Sequence, residues 1–207
     1  MQRAGATRKI AHLVIATALA WALSTPSPGE HRPADPDEMQ IRERPGYEVS
    51  EEARLPLAFQ RQVVFFRTTQ PRGTLIIDTP NRFLYLVLAN DRALRYGISV
   101  GHDCLQWQGL ARISRGTEWP DWTPPADVIA RDPEFPKFVA GGAGNPLGAR
   151  VIEIGDNGYR IHGTNQPEVI GHAVSSGCFR LVNTDVIHLY RHAPVGARVL
   201  VVQAPEM

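Results

Sequence analysis

Two side chains in this sequence are suited to nucleophilic chemistry. Cys178 lies in Val174-Ser175-Ser176-Gly177-Cys178-Phe179-Arg180, and His162 closes the run Tyr159-Arg160-Ile161-His162 ahead of Gly163-Thr164. The glycine before Cys178 lets backbone approach closely, and the small polar residues leave the sulfur accessible. A thiol with an ordinary pKa of about 8.5 is only a few per cent thiolate at neutral pH, so a nucleophilic cysteine needs a base or a positive field beside it. His162 is the candidate base, because a strand end presents its side chain at the rim of a cleft. The segment from Asn165 to Gly171 reads as a loop able to fold back and bring Cys178 to the imidazole.

Two other readings compete for the same residues. The chain has 2 cysteines, Cys104 and Cys178, and in an exported protein a pair of cysteines defaults to a disulfide. On residue pattern alone, a catalytic Cys–His pair and a structural disulfide stand level. Metal binding is the third reading, since His162, His172, Cys178 and His188 fall within a short span. Zinc ligands come in closely spaced pairs, and only His188 and His192 have that spacing, on what reads as an exposed helix end. No metal and no cofactor is expected, and His102, His172, His188 and His192 read as surface histidines.

The elements that must position these residues are mostly strands. Val63-Val64-Phe65-Phe66 opens the series, and Gly73 to Asp78, the turn Thr79-Pro80-Asn81 and Phe83 to Asn90 form a hairpin signature. From Leu94 to Val100, Tyr96, Ile98 and Val100 alternate with Arg95, Gly97 and Ser99 as one half-buried strand would. Further strands are expected at Ala111–Ser114, Arg150–Ile154, Tyr159–His162 and Arg198–Gln203. Pro124-Pro125 opens one short helix. Asn183-Thr184-Asp185 is expected to cap another, whose Val186, Leu189 and Tyr190 share a face. The pattern is that of a mainly antiparallel β domain with small helices.

Ahead of this domain the composition differs. The chain of 207 residues begins with a basic stretch, Arg3, Arg8 and Lys9, followed by an apolar run from Ile10 to Leu23. That run is shorter than the roughly 20 residues a spanning helix needs, so residues 1–23 read as a secretory signal, with cleavage after Ala20 or Ala22 and an uncleaved anchor as the alternative. Residues 24–57 are rich in proline and charge and poor in aliphatic residues, which makes them a linker, and residues 58–204 form the folded domain. With 22 Lys plus Arg against 21 Asp plus Glu, no global field points to nucleic acid.

His162-Gly163-Thr164, followed after a loop by Ser175-Ser176-Gly177-Cys178-Phe179-Arg180-Leu181 and Asn183-Thr184-Asp185, resembles the signature of the L,D-transpeptidase catalytic domain. In that signature a strand-borne histidine precedes a Ser-X-Gly-Cys-X-Arg or Ser-X-Gly-Cys-X-Asn block, and here the cysteine falls 16 positions after the histidine. Asn145-Pro146-Leu147-Gly148 and Trp119 to Pro125 resemble the family too, so the likeness runs from about Val63 to Gln203.

The resemblance implies a β-sandwich-like fold and a bacterial periplasmic enzyme acting on peptidoglycan stem peptides. Its thiolate attacks the bond between the L-centre of meso-diaminopimelate and D-alanine, forms a thioester and passes the acyl group to an amine. That amine is a second stem, a lysine of an outer-membrane protein or a free D-amino acid; water as acceptor gives an L,D-carboxypeptidase. A monomer is expected, and a catalytically silent cell-wall binding domain is the rival reading from another class.

Residue by residue, the resemblance implies Cys178 as nucleophile and His162 as base and then acid. The Gly163 carbonyl orients the ring, and backbone N–H groups around Gly177 and Cys178 stabilise an oxyanion. Arg180, with Ser175 and Ser176, faces the substrate, or Arg180 braces the cysteine loop. Ser176 stands where many relatives carry a second histidine, so thiolate activation rests more on His162. Cys104 receives no task and is expected as a buried or free thiol, since a bond to Cys178 would block the nucleophile. Trp107 is expected to pack, while Trp119 and Trp122 either pack or line a groove.

Overall fold

The computed structural model describes residues 55–175 and 177–203. The signal read at residues 1–23 and most of the linker lie outside the described residues, as does Ser176. Among the described residues no helix is long and apolar enough to cross a membrane.

The strands are β1 (Gln62–Phe65), β2 (Leu75–Asp78), β3 (Phe83–Val87), β4 (Arg92–Gly97), β5 (Ser99–Gly101), β6 (Gly109–Glu118), β7 (Arg150–Ile154), β8 (Tyr159–His162), β9 (Ala173–Val174), β10 (Phe179–Arg180) and β11 (Arg198–Val202). Among the described residues two α-helices interrupt them, α1 (Ala126–Arg131) after β6 and α2 (Asn183–His192) after β10. The spatial order is β1-β4-β3-β2-β11-β6-β7-β8-β10-β5-β9. Strand β6 is the hinge of the architecture. Its first residues pair with β11, Gly109 against Val201 through Arg112 against Arg198, and its later ones pair with β7, Arg115 against Glu153 through Glu118 against Arg150. The register shifts between Ile113 and Arg115, and such a bulge bends a strand and raises its twist, which lets one long strand belong to two sheets.

The fold is thus the expected mainly β, sandwich-like one with few short helices. Its pairs are mostly antiparallel, with β2–β11, β8–β10 and β5–β9 parallel. Leu75, Ile77, Leu84 and Leu86 from one sheet meet Val100, Ile152, Ile161 and Phe179 from the other, and α2 adds Val186 and Leu189 to the same core. Leu55 and its neighbour Phe59 pack against Ile170 and Val182 in a smaller cluster.

Two local expectations are corrected. The run from Leu94 to Val100 is two strands, not one: β4 ends at Gly97, the Ile98 N–H donates to the Arg82 carbonyl, and β5 crosses to the other sheet. Asn183 does not cap α2. The cap position is Val182, with no side-chain hydrogen bond, because the Asn183 amide is used elsewhere. Its Oδ1 accepts from the Ala149 N–H at 2.8 Å and its Nδ2 donates to the Thr164 carbonyl at 2.9 Å.

Candidate active site

The second sheet brings the two motif residues together through one parallel pairing. β8 and β10 lie side by side with Phe179 opposite Ile161 and Arg180 opposite His162, and the Leu181 N–H donates to the His162 carbonyl at 2.9 Å. The end of β8 and the chain entering β10 therefore sit at the same rim of the sheet. Asn183 secures this corner, joining the Ala149 backbone to the stretch just after His162. Gly148, at φ 63°, makes room for it: a Cβ there would run into the Asn183 amide oxygen.

His162 is buried, 3% exposed, and its Nδ1 lies 2.7 Å from the carbonyl oxygen of Gly163. A carbonyl only accepts, so Nδ1 carries the proton and Nε2 carries the lone pair. Burial first and the Arg180 charge second pull the imidazole pKa from 6.5 down to about 3; the Gly163 hydrogen bond pulls the other way, and the Arg160 charge adds the smallest downward pull. At neutral pH the ring is neutral, the state a general base requires. Burial also draws the Arg180 guanidinium below its ordinary value.

Gly177 separates these groups. Its φ is 77°, and a Cβ built on it would stand 3.1 Å from Arg180 Nε and 3.2 Å from His162 Nε2. Nε2 and the guanidinium thus converge on the backbone immediately before Cys178, which is where a proton acceptor and a positive field would act on the sulfur.

Cys104 is corrected. It is not a free thiol: its sulfur is bonded to Cys178, 74 positions away, with the two Cα atoms 5.3 Å apart. The Gly101 N–H donates to the Cys178 carbonyl at 2.8 Å, so the single turn His102–Cys104 that follows β5 hangs directly beside the cysteine loop.

The cleft around this pair has a volume of about 720 Å³. His162, Gly177, Cys178 and Arg180 line it, joined by Arg160 and Cys104, while Ser175 is exposed and lies outside the lining. The opposite wall comes from the excursion between β6 and β7. There Trp122 and Val139 exchange backbone hydrogen bonds of 2.9 Å, and the Trp122 ring meets Phe135 edge-on at 5.8 Å. Asn145, fully buried, donates to the carbonyls of Pro120, Val139 and Ala140 and closes the excursion on itself. Trp122 lines the cleft, whereas Trp119 packs on Ala149 and Ile187. Trp107 packs as expected, stacked on Tyr159 at 4.2 Å. Asn145 opens the Asn145-Pro146-Leu147-Gly148 segment, whose residues alone assign it no such role, because the carbonyls it binds come from the folded excursion. Among the described residues no three His, Cys, Asp or Glu side chains gather as a metal site would require.

A β-sandwich whose cleft gathers a cysteine, a neutral histidine and an arginine has the composition of a site for acyl transfer. Residues 72–201 match the YkuD family, the L,D-transpeptidase catalytic domain, and the chain belongs to that family. It is 34% identical over 131 residues to a putative L,D-transpeptidase encoded in the ATP synthase subunits region of Fuscovulum blasticum, a match covering 62% of this chain and 68% of that protein. It is 41% identical over 100 residues to the probable L,D-transpeptidase ErfK/SrfK of Escherichia coli, covering 46% of this chain but 32% of that longer protein. Among solved structures the Ldtfm–avibactam carbamoyl enzyme shares the fold, with a TM-score of 0.51 at 18% identity, over 66% of this chain and 51% of that one.

Proposed function

We propose that this chain is an exported peptidoglycan L,D-transpeptidase in which Cys178, as a thiolate, attacks the diaminopimelate–D-alanine bond of a stem tetrapeptide. The observation that carries the reading is the His162 ring: Nδ1–H is committed to the Gly163 carbonyl, and Nε2 is left as an acceptor 3.2 Å from where a Gly177 Cβ would be. With Cys178 reduced, Nε2 takes the thiol proton as sulfur attacks the carbonyl carbon. The tetrahedral oxyanion forms against N–H groups of the Gly177–Cys178 loop. As it collapses, the imidazolium returns the proton to the departing D-alanine amine, leaving a thioester on Cys178. An incoming amine from a second stem, a protein lysine or a D-amino acid then repeats the sequence in reverse and frees the sulfur; water in its place gives hydrolysis.

Arg180 fits two tasks in this scheme, favouring the thiolate and receiving a substrate carboxylate in its forked donor geometry. Ser175 and Ser176 keep a substrate-side role in this proposal on the family resemblance of the Ser-X-Gly-Cys motif alone. The periplasmic setting, the signal at residues 1–23, the linker at 24–57 and a monomeric state belong to this reading and rest on the sequence.

One observation favours a second reading, a silent cell-wall binding domain: in the structure the Cys178 sulfur is already bonded. The experiment that separates them uses protein reduced with dithiothreitol, incubated with a disaccharide tetrapeptide or a carbapenem and weighed intact. The transpeptidase reading expects a covalent adduct on wild type and none on Cys178→Ala. An adduct that persists on Cys178→Ala, with the fold unchanged, would falsify the assignment of the nucleophile.

A further inference from the structure

We infer that Cys104 is a resolving thiol, and that the cleft is also a thiol–disulfide exchange site whose partner is a dithiol reductant. The inference rests on the reading of Cys178 as nucleophile. Its first support is position. Both cysteines line the cleft, and the bond ties up the one sulfur the proposed reaction needs, which a staple placed purely for stability would avoid.

The second support is that the backbone around the two cysteines is held without the bond. The Gly101 N–H donates to the Cys178 carbonyl at 2.8 Å, the Leu105 N–H to His102 at 3.2 Å and the Trp107 N–H to Cys104 at 3.3 Å. On the far side, β10 is paired to both β5 and β8. Opening the S–S bond therefore leaves Cys104 beside Cys178, ready to re-form it.

The third support is the chemistry of the neighbours. Thiol–disulfide exchange needs an accessible sulfur to attack and stabilisation of the thiolate that leaves. Cys178 and Cys104 are both buried, 8% and 1% exposed, but both line the cleft, and a thiolate entering it meets Cys178 as the less covered of the two. Arg180 supplies positive charge at the same loop, and His162 Nε2 is a proton acceptor.

The sequence of bonds follows. A reductant thiolate attacks Cys178 Sγ; the Cys104–Cys178 bond breaks, its electron pair leaves on Cys104 Sγ, and that thiolate takes up a proton. The mixed disulfide on Cys178 is then attacked by the reductant's second thiol, which closes the reductant's own disulfide and releases Cys178 as a thiolate. Two electrons pass from the dithiol to the protein. With a monothiol the second step needs another molecule of the reductant, so Cys104 competes with it by re-attacking the mixed disulfide and expelling the first. In the opposite direction a peroxide oxidises the Cys178 thiolate to the sulfenic acid, and Cys104 condenses with it, losing water, before further oxidation makes the damage irreversible.

The test compares full-length wild type, oxidised and dithiothreitol-reduced, with Cys104→Ala, each exposed to a carbapenem and weighed intact. Oxidised wild type is expected to give no adduct and no alkylatable thiol, and reduced wild type to gain two hydrogens and then a full adduct. Cys104→Ala is expected to acylate without any reductant. After peroxide treatment, dithiothreitol should restore acylation to wild type while Cys104→Ala stays inactive and carries the mass of a sulfinic acid. Equal acylation of oxidised and reduced wild type, or equal recovery of both proteins from peroxide, overturns the inference. If reduced wild type keeps its near-ultraviolet circular dichroism and alkylates at Cys178 yet forms no adduct, the nucleophile reading itself falls and takes this one with it. Should Cys104→Ala fail to fold, Cys104→Ser takes its place in every arm of the test.

Discussion

His162 and Gly163, adjacent in sequence, hold each other in one state: the imidazole Nδ1–H donates back to the next residue's carbonyl at 2.7 Å. No carboxylate is needed to set the tautomer, and the ring is buried where a charge is costly. The pKa of His162 falls from 6.5 to about 3, so its ring resonances in a pH titration by NMR are expected to stay flat from pH 7 to about pH 5. An inflection near 6.5 would contradict the burial argument.

The same shift has a sign for stability. Between the folded value of about 3 and the unfolded value of 6.5, the unfolded chain binds the extra proton, so stability rises with pH through that window and erodes as pH falls below 6.5. The slope from this group is at most about 1.4 kcal/mol per pH unit. Thermal unfolding of wild type at pH 7 and pH 4.5, compared with His162→Gln, checks it: the loss on acidification should be smaller in the variant.

Arg180 is the second-largest cause, after burial, of the depressed His162 pKa. Removing its charge in Arg180→Gln is expected to move the His162 titration upward toward 6.5 without reaching it, because burial remains. Acylation of the reduced protein should fall at the same time. An unchanged histidine titration would mean that the guanidinium charge is fully screened from the ring.

Gly177→Ala meets both a backbone and a space problem. A φ of 77° costs an L-residue roughly 1–2 kcal/mol, and the new methyl would be 3.1 Å from Arg180 Nε and 3.2 Å from His162 Nε2. The expected result is a modest drop in melting temperature with a loss of acylation of about tenfold or more, as misplacement near reacting groups produces. Wild-type acylation in a folded Gly177→Ala protein would show that the loop tolerates the shift.

Asn183→Ala strands two buried partners, the Ala149 N–H and the Thr164 carbonyl. Each buried group left unsatisfied costs about 1–3 kcal/mol, so denaturant unfolding should show a loss of about 2–5 kcal/mol. Asn183→Asp keeps the acceptor for Ala149 but sets a buried carboxylate against the Thr164 carbonyl, and is expected to lose at least as much stability at pH 7 as Asn183→Ala, with part of the loss recovered on acidification as the carboxyl takes up a proton.

Much of this was legible in residues alone. β-forming composition and turn residues are local properties, so β1, β2, β3, β7, β8 and β11 could be read from short runs of aliphatic and aromatic residues bounded by turns, and a histidine leaving a strand 16 positions before the cysteine points to a Cys–His corner because both lie in one short supersecondary unit. The tertiary structure decided what depends on sheet membership. Tyr96, Ile98 and Val100 are all fully buried, so their alternation is identical whether the chain continues in one sheet or crosses to the other; only the pairing of β5 with β10 distinguishes the cases. Asn183 looked like a helix cap because its partners, at Ala149 and Thr164, are remote in sequence. The fate of Cys178 follows from the same limit. The sequence determined which cysteine has the setting of a nucleophile, but Cys104 reaches it from 74 positions away through the crossing at Ile98 and the register of β5 on β10, contacts that no local pattern encodes.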